Sequence, residues 1–362
     1  MFVAWRDLRF AKGRFALMGT VIVLITLLVG LLSGLTAGLS RQSTSAITSL
    51  PADRIAFAAP PDGRDLSYTD STVTEDQWRR WAATPGVIRA EPLGITPAKA
   101  TAGARSAGVT VFGVRPGSAL APAGGRIDDR SAVLSTGAAD DLGLQVGGTL
   151  TLAGQRLTVA AVRSDASFSH TPVVWTSLAT WRGLAPPSGA AGVATATVIA
   201  LSTVPGADLA AVDARAHTRT VSKDASLAAI GSYTSENGSL QLMRAFLFGI
   251  SALVVGAFFT VWTIQRSGDI AVLKALGAST ATLLKDALGQ AVAVLAGGTL
   301  IGTALAVAVG GLVAGRAVPF VLTPATVLVP AGVLVLLGVL GAALAVRRIT
   351  SVDPLTALGS AR

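Results

Sequence analysis

The sequence predicts a helical membrane protein whose four transmembrane helices are divided, one plus three, by a large mixed α/β extracytoplasmic domain. Two features predict this class: four long intervals carry no charged residue, and about 200 mostly polar residues separate the first interval from the second. Each interval reaches the roughly 20 residues that a helix needs to cross about 30 Å of hydrocarbon. Inside lipid the backbone must bond to itself, so each interval is expected to be helical. The intervals are 15–40, 245–265, 287–315 and 317–346.

Composition and charge distribution support this class. Hydrophobic residues make up 51% of the chain and charged residues 14%, which is too apolar for an ordinary soluble domain. Residues 41–243 hold 17 Lys/Arg and 16 Asp/Glu, whereas the other 159 residues hold 12 Lys/Arg and 4 Asp/Glu. The basic excess therefore lies beside the spans. We expect the chain to lie in the plasma or inner membrane. By the positive-inside rule, both of its termini are expected in the cytoplasm.

The order of segments follows from the spans and the charges. The first span is expected to be retained, because an apolar stretch of about 25 residues is too long for the core of a signal peptide. The predicted segments are an interfacial helix (1–14), the first transmembrane helix (15–40), the extracytoplasmic domain (41–235), the second transmembrane helix with an outer extension (236–265), a cytoplasmic coupling segment (266–286), the third transmembrane helix (287–315), an external loop (316–324), the fourth transmembrane helix (325–346) and a cytoplasmic tail (347–362).

Local patterns predict the elements of the outer domain. Thr74 is a predicted N-cap, and a helix starting near Ala225 is expected to run into the second span. Residues 153–155 are a predicted hairpin turn. The other predicted helices are 74–82, 138–142, 178–181 and 208–216, and the predicted strands are 109–114, 132–135, 149–152, 156–162, 172–174 and 194–201.

Three glycines four residues apart mark one face of the first span: Gly30, Gly34 and Gly38. Small residues at this spacing let two helix backbones approach closely in lipid. The pattern predicts a helix-packing or dimer seam. Glycine is common in membrane helices, so a chance pattern is the alternative.

The sequence offers no energy source and no catalytic group. It contains no Gly-Lys dipeptide and therefore no phosphate-binding P-loop, and the spans contain no ionisable residue that could relay protons. Cysteine is absent, no metal-ligand cluster stands out, and His170 and His217 are expected to be surface or packing residues. We expect no intrinsic cofactor, no metal and no catalytic site. A soluble enzyme or a nucleic-acid-binding protein would leave four spans unexplained.

A mostly apolar stretch follows the second span and is expected to attach an energy-supplying subunit. Gly277 is suited to end a short helix there with a left-handed cap, and an apolar helix in the cytoplasm requires a partner groove. A helix lying on the membrane surface is the alternative. The candidate coupling residues are Asp269, Ile270, Leu273, Lys274, Leu276 and Gly277.

Residues 269–278 and the ending 353–358, Asp-Pro-Leu-Thr-Ala-Leu, resemble the FtsX-like (MacB-type) permeases of ABC transporters. Residues 132–181 are similar to the small β-rich part of that family's outer domain. The resemblance implies a homodimer bound to two copies of a cytoplasmic ABC ATPase, which carries the Mg-ATP. Within the family, residues 229–290 are most similar to the haem-efflux permeases, and DevC-type relatives share much of this likeness.

Haem as the transported ligand directs attention to the outer end of the second span. On a helix, Tyr233, Glu236 and Met243 share one face, and phenolate, carboxylate and thioether are plausible partners of haem iron. Arg41 and Arg244 flank the first two spans and could meet propionates. Tyr68 and Met18 are weaker candidates. The alternative roles are ordinary: interfacial aromatic, solvated acid, packing thioether and headgroup anchors.

Two other functions stay open on the sequence. The same machinery could export another lipid, a peptide or an antibiotic. Some FtsX-like proteins transport nothing and instead switch a cell-wall hydrolase outside the cell.

Overall fold

The computed structural model describes residues 12–61, 63–122, 127–184, 194–265, 279–313 and 318–350, together with Gly268, Val272 and Gly277. The chain forms two compact units. We call Met1–Gly38 with Gly238–Arg362 the membrane unit, and Leu39–Asn237 the outer unit.

Nine α-helices and twelve strands form within these described ranges. The helices are α1 (Lys12–Thr48), α2 (Glu75–Ala82), α3 (Thr136–Leu142), α4 (Leu178–Leu184), α5 (Leu209–Ala216), α6 (Lys223–Ser226), α7 (Gly231–Gln265), α8 (Thr280–Val313) and α9 (Pro324–Thr350). The strands are β1 (Arg54–Ala58), β2 (Val73–Thr74), β3 (Val87–Ala102), β4 (Arg105–Val114), β5 (Ser131–Leu134), β6 (Thr149–Leu152), β7 (Gln155–Val162), β8 (Ser167–Phe168), β9 (Thr171–Ser177), β10 (Ala194–Ala196), β11 (Val198–Thr203) and β12 (Thr218–Ser222).

Four helices among the described residues, α1, α7, α8 and α9, are long and apolar enough to cross a membrane. The qualifying segments are Ala16–Thr48, Gly231–Trp262, Leu288–Val313 and Pro324–Leu344. The α/β outer unit lies in sequence between the first and the second of them. This arrangement confirms the predicted fold class.

The start of α7 differs from the expected helix. Ser222 caps the separate short helix α6 by accepting a hydrogen bond from the backbone N–H of Ala225. A 3₁₀ turn, Leu227–Ala229, follows, and Ile230 then takes an extended backbone with only 2% of its surface exposed. The prediction of a helix from Ala225 is therefore wrong, because burying Ile230 in the core interrupts helical geometry before Gly231.

The outer unit is organised by the 16-residue strand β3. Its first half pairs with β11 in the order β12-β1-β11-β3, and its second half pairs with β4. The far end of β3 also pairs with β6, through Ala100 opposite Leu152. The ring β3-β4-β9-β5-β7-β6 is thereby closed into a small six-stranded barrel. Leu134, Leu150 and Val174 belong to the apolar cluster formed by these strands, which removes their side chains from water.

Several local predictions are confirmed within this unit. Helix α2 starts with a capping box, in which the Thr74 hydroxyl accepts from the Gln77 N–H while the Gln77 side chain accepts from the Thr74 N–H. The predicted hairpin β6–β7 forms, but its turn is shorter than the predicted 153–155: Ala153 and Gly154, both with positive φ, make the turn, and Gln155 already pairs with Leu152. Trp81 of α2 is fully buried in the core of this unit.

The end of α1 lies in the core of the outer unit. Ala46 and Ile47 are buried there against a cluster that includes Phe57, Tyr68 and Phe168. The rings of Tyr68 and Phe168 meet edge to face at 5.5 Å, a geometry that aromatic pairs favour. This packing fixes the residues that follow the first span, and with them one wall of the candidate site.

The glycines of the first span face other parts of the membrane unit. A Cβ added at Gly30 would lie 2.8 Å from the Cβ of Ala306 in α8, and one at Gly38 would meet the carbonyl of Pro319. The Phe320 ring fills the space beside both Gly34 and Gly310. The packing seam predicted from the spacing is thus made within this chain, and a dimer seam stays a prediction.

We expect Gly34→Ala to lower the thermal unfolding temperature of the purified protein in detergent. The added methyl group must displace the Phe320 ring, and overpacking of this kind costs about 1–3 kcal/mol. Gly249→Ala in α7 is the matched control, because nothing lies within 4 Å of a Cβ there. Equal unfolding temperatures for the two variants would show that Phe320 does not pack in this seam.

Candidate functional site

A strained two-residue turn forms the centre of the candidate site. Ser169 and His170 connect β8 to β9, and their φ angles are +49° and +65°. Hairpin turns with two positive φ angles favour Asn-Gly, because a side chain at such angles costs roughly 1 kcal/mol or more. A histidine kept in this conformation must be held by its surroundings.

Hydrogen bonds from two helices hold this turn. The backbone N–H groups of Ser169 and His170 donate to the carbonyls of Ser43 and Gln42 in α1, at 3.1 and 3.3 Å. The hydroxyls of Ser169 and Ser232 are 2.9 Å apart, which ties the turn to the beginning of α7. The turn therefore joins the outer ends of α1 and α7 inside the outer unit.

The His170 ring brings Glu236 into this junction. Its Nε2 lies 2.9 Å from the Ser43 hydroxyl and 2.9 Å from each carboxylate oxygen of Glu236. Because an ionised carboxylate only accepts, the Nε2–H donates to Glu236. We call Ser43, His170 and Glu236 the His170 cluster. The Glu236 side chain is 41% exposed, so it keeps lone pairs that face outward while the imidazole fixes its orientation.

Tyr233 lies one helical turn before Glu236 and is partly buried against the core of the outer unit. Its phenol therefore shares the α7 face that carries the carboxylate, as the spacing predicted. The prediction of Tyr68, the weaker tyrosine candidate, as a ligand of haem iron is wrong. It is 3% exposed, burial raises the pKa of its phenol despite the opposing hydrogen bond to Ser226, and a buried neutral phenol does not supply a phenolate.

The two arginine candidates differ in their environment. Arg41 lies 3.7 Å from Asp165, and both side chains are more than half exposed, so this pair contributes little to stability. In the membrane unit, the Nε of Arg244 is buried without a hydrogen-bond partner. An anionic partner would therefore stabilise the guanidinium group of Arg244 more than that of Arg41.

The two methionine candidates also separate. Met243 in α7 is 53% exposed and available to a ligand or to lipid. Met18 is 3% exposed in a cluster with Ile22 and Phe259, so its candidacy as an iron ligand is wrong and its role is packing.

Of the six coupling candidates, the structure describes only Gly277. Its φ of +92° is the left-handed conformation that the sequence predicted for a helix end. Asp269, Ile270, Leu273, Lys274 and Leu276 lie outside the described residues. Among the described residues, no group of three or more His, Asp or Glu side chains could hold a metal ion.

Sequence reasoning missed His170 and Ser43. It treated His170 as a surface or packing residue, whereas the ring is a hydrogen-bonding partner of the predicted ligand Glu236. The only sequence hint is an unusual turn composition, Ser-His, between two short strand patterns.

Two family profiles match the chain. The MacB-like periplasmic core domain matches residues 15–219, and the FtsX-like permease C-terminal domain matches residues 242–354. Together they account for the first span with the outer unit and for the last three spans.

Similar proteins include the hemin transport system permease HrtB of Staphylococcus haemolyticus, 33% identical over 130 residues, and HrtB of Staphylococcus epidermidis, 28% identical over 130 residues. Each match covers 36% of this chain and 37% of the relative. Similar solved structures include the periplasmic region of MacB from Actinobacillus actinomycetemcomitans, with 11% identity over 49% of this chain and 92% of that one, at a TM-score of 0.37. The extracellular domain of the transporter YknZ from Gram-positive bacteria has 14% identity over 47% of this chain and 99% of that one, at a TM-score of 0.35.

We expect Glu236→Gln to lower the free energy of unfolding by about 0.5–1 kcal/mol, because it weakens a partly exposed charged hydrogen bond. In a His170→Gly background the same change should cost almost nothing, since its partner is gone. Glycine suits the positive φ at position 170 and keeps the turn intact. Arg41→Ala is the control and should cost the same small amount in both backgrounds. Equal costs of Glu236→Gln in both backgrounds would show that the two side chains are not coupled.

Proposed function

The chain belongs to the family of FtsX-like permeases with a MacB-like periplasmic core domain, and from this premise we propose that it exports haem from the membrane. It is the permease of an ABC-type transporter, a transmembrane subunit that is not itself an enzyme.

One observation carries the choice of cargo: the Glu236 carboxylate is oriented by the His170 ring beside the first residues of a membrane helix. An acid there is unusual for a plain lipid-facing helix and suits a ligand that combines charge with an apolar body. Haem has both, since its macrocycle partitions into lipid and its iron accepts oxygen ligands. In the proposed site, Glu236 binds the iron and His170 acts as a positioning residue that donates to the carboxylate.

Neighbouring groups supply the remaining interactions. Tyr233 provides a phenol on the same helix face, and Met243 a thioether two turns further along α7. The guanidinium groups of Arg41 and Arg244 pair with the two propionates, which relieves the unpartnered Nε of Arg244. The names of the HrtB relatives support haem as the cargo, over the 130 residues that match.

The motor is a separate cytoplasmic ABC ATPase. We infer a homodimer of this chain with two ATPase copies, both termini in the cytoplasm and the outer unit outside. The coupling segment, Asp269, Ile270, Leu273, Lys274, Leu276 and Gly277, docks on the ATPase and passes its nucleotide-driven movement to the spans. Membrane lipid is the medium from which cargo enters.

Titration of the purified chain with ferric haem should produce a Soret band that saturates. Glu236→Ala should abolish the saturable part, and Tyr233→Phe should weaken binding. His170→Gly should weaken it by about tenfold, the usual effect of removing a group that orients a metal ligand. Glu75→Ala removes an exposed acid that pairs with Arg79 on α2, and it is the control that should bind like the wild type.

Wild-type affinity in both Glu236→Ala and Tyr233→Phe would discard this site. If the wild-type chain binds no haem but is stabilised by another lipid, a peptide or an antibiotic, then that compound is the cargo. Stable association with a cell-wall hydrolase, without any ligand, would favour the non-transporting role.

A further inference from the structure

Among the described residues, three buried hydroxyl groups of the membrane unit have no hydrogen-bond partner: those of Thr26, Ser33 and Thr299. Two of these residues, Thr26 in α1 and Thr299 in α8, are 3% and 5% exposed. A buried hydroxyl without a partner destabilises the fold relative to a paired one. Ser33 is not among the residues that line the cavity described below, whereas Thr26 and Thr299 both are, so one polar group placed there could bond to both.

Several other hydroxyls of the membrane unit bond to their own helix backbone. Thr36 donates to the carbonyl of Leu32, Ser251 to that of Leu247 and Thr260 to that of Gly256, each four residues back. This backbone bond is available to any helical threonine. Thr26 and Thr299 do not make it.

Both threonines line the same small cavity. Its volume is about 10 Å³, and its walls come from all four spans, including Ser251 in α7 and Gly338 in α9. A cavity of about 10–15 Å³ is large enough for one water molecule, which needs two to four polar partners. Ser251 is itself 3% exposed and already donates its proton, so its oxygen is left as an acceptor.

We propose that an ordered water molecule occupies this cavity and links Thr26, Thr299 and Ser251. The donors and acceptors balance: the two threonine hydroxyls donate to the water oxygen, and the water donates to the Ser251 hydroxyl oxygen. Three bonds are the usual number for a buried water. The water joins α1, α7 and α8 at a point where lipid offers no polar partner.

A cation is not the occupant, because the residues that line the cavity include no charged side chain. A bare ion enclosed by three neutral hydroxyls would carry a large desolvation cost. The inference is independent of the cargo, since the cavity lies entirely within the membrane unit.

The test is a set of valine substitutions, which keep the side-chain shape and remove the hydroxyl. With the water present, Thr26→Val and Thr299→Val each lower the unfolding temperature by about 2 °C or more. The double variant loses less than the sum of the two, because one water serves both groups. Ser251→Ala should be coupled to Thr26→Val in the same way. Thr36→Val is the matched control and should be additive with Thr299→Val.

A dry cavity predicts the opposite sign, because each valine would then remove an unsatisfied hydroxyl and raise the unfolding temperature, additively. That outcome overturns the proposal. So does coupling between Thr26 and Thr299 without coupling to Ser251, which indicates a direct bond. If a variant fails to fold, a wild-type density map that resolves other buried waters decides: a peak within hydrogen-bond distance of all three oxygens supports the proposal, and its absence overturns it.

Discussion

The absence of water in the hydrocarbon core is the constraint on which the rest of this structure depends. A backbone that cannot bond to water must bond to itself, which gives the long helices α1, α7, α8 and α9. The same constraint favours charged residues at the ends of the spans. It also favours hydrogen bonds from hydroxyls to their own helix backbone, such as the bond from Thr36 to the carbonyl of Leu32. Attraction between helices then comes from close packing, which glycine permits beside Phe320.

Because the four charge-free intervals (15–40, 245–265, 287–315 and 317–346) hold no ionisable residue, the charged and ionisable side chains are found at the ends of the helices. The outer unit supplies it by placing the Ser169–His170 turn against both α1 and α7. Strain at a hairpin tip is retained where the surroundings over-determine it, and such places are often functional. Here the strained residue is the one that orients Glu236. The contacts that hold the strained turn in place therefore also position the Glu236 carboxylate.

Much of the fold could be predicted from local sequence. The charge-free intervals predicted the spans, and Thr74 as an N-cap predicted the start of α2. The longest strand, β3, could not be predicted, because Pro92 and Pro97 argue against a strand when its neighbours are unknown. In the structure β3 nevertheless pairs with both β11 and β4.

The candidate site divides in the same way. The shared face of Tyr233 and Glu236 follows from helical spacing, because both belong to one element. The His170 contact joins residues 66 positions apart, and the Ser43 contact joins residues 127 positions apart. Such pairs depend on how β8, β9 and the two helices pack, and no local pattern contains that information. The partnerless hydroxyls of Thr26 and Thr299 likewise become visible only once the helices are packed.

The role of Glu236 in haem export is best tested by ATP-dependent loss of haem from the bilayer of proteoliposomes that contain this chain and the ATPase proposed as its partner. We expect the wild type to export haem, and Glu236→Ala to export none although the complex still assembles and hydrolyses ATP. Haem export by Glu236→Ala at the wild-type rate would contradict it.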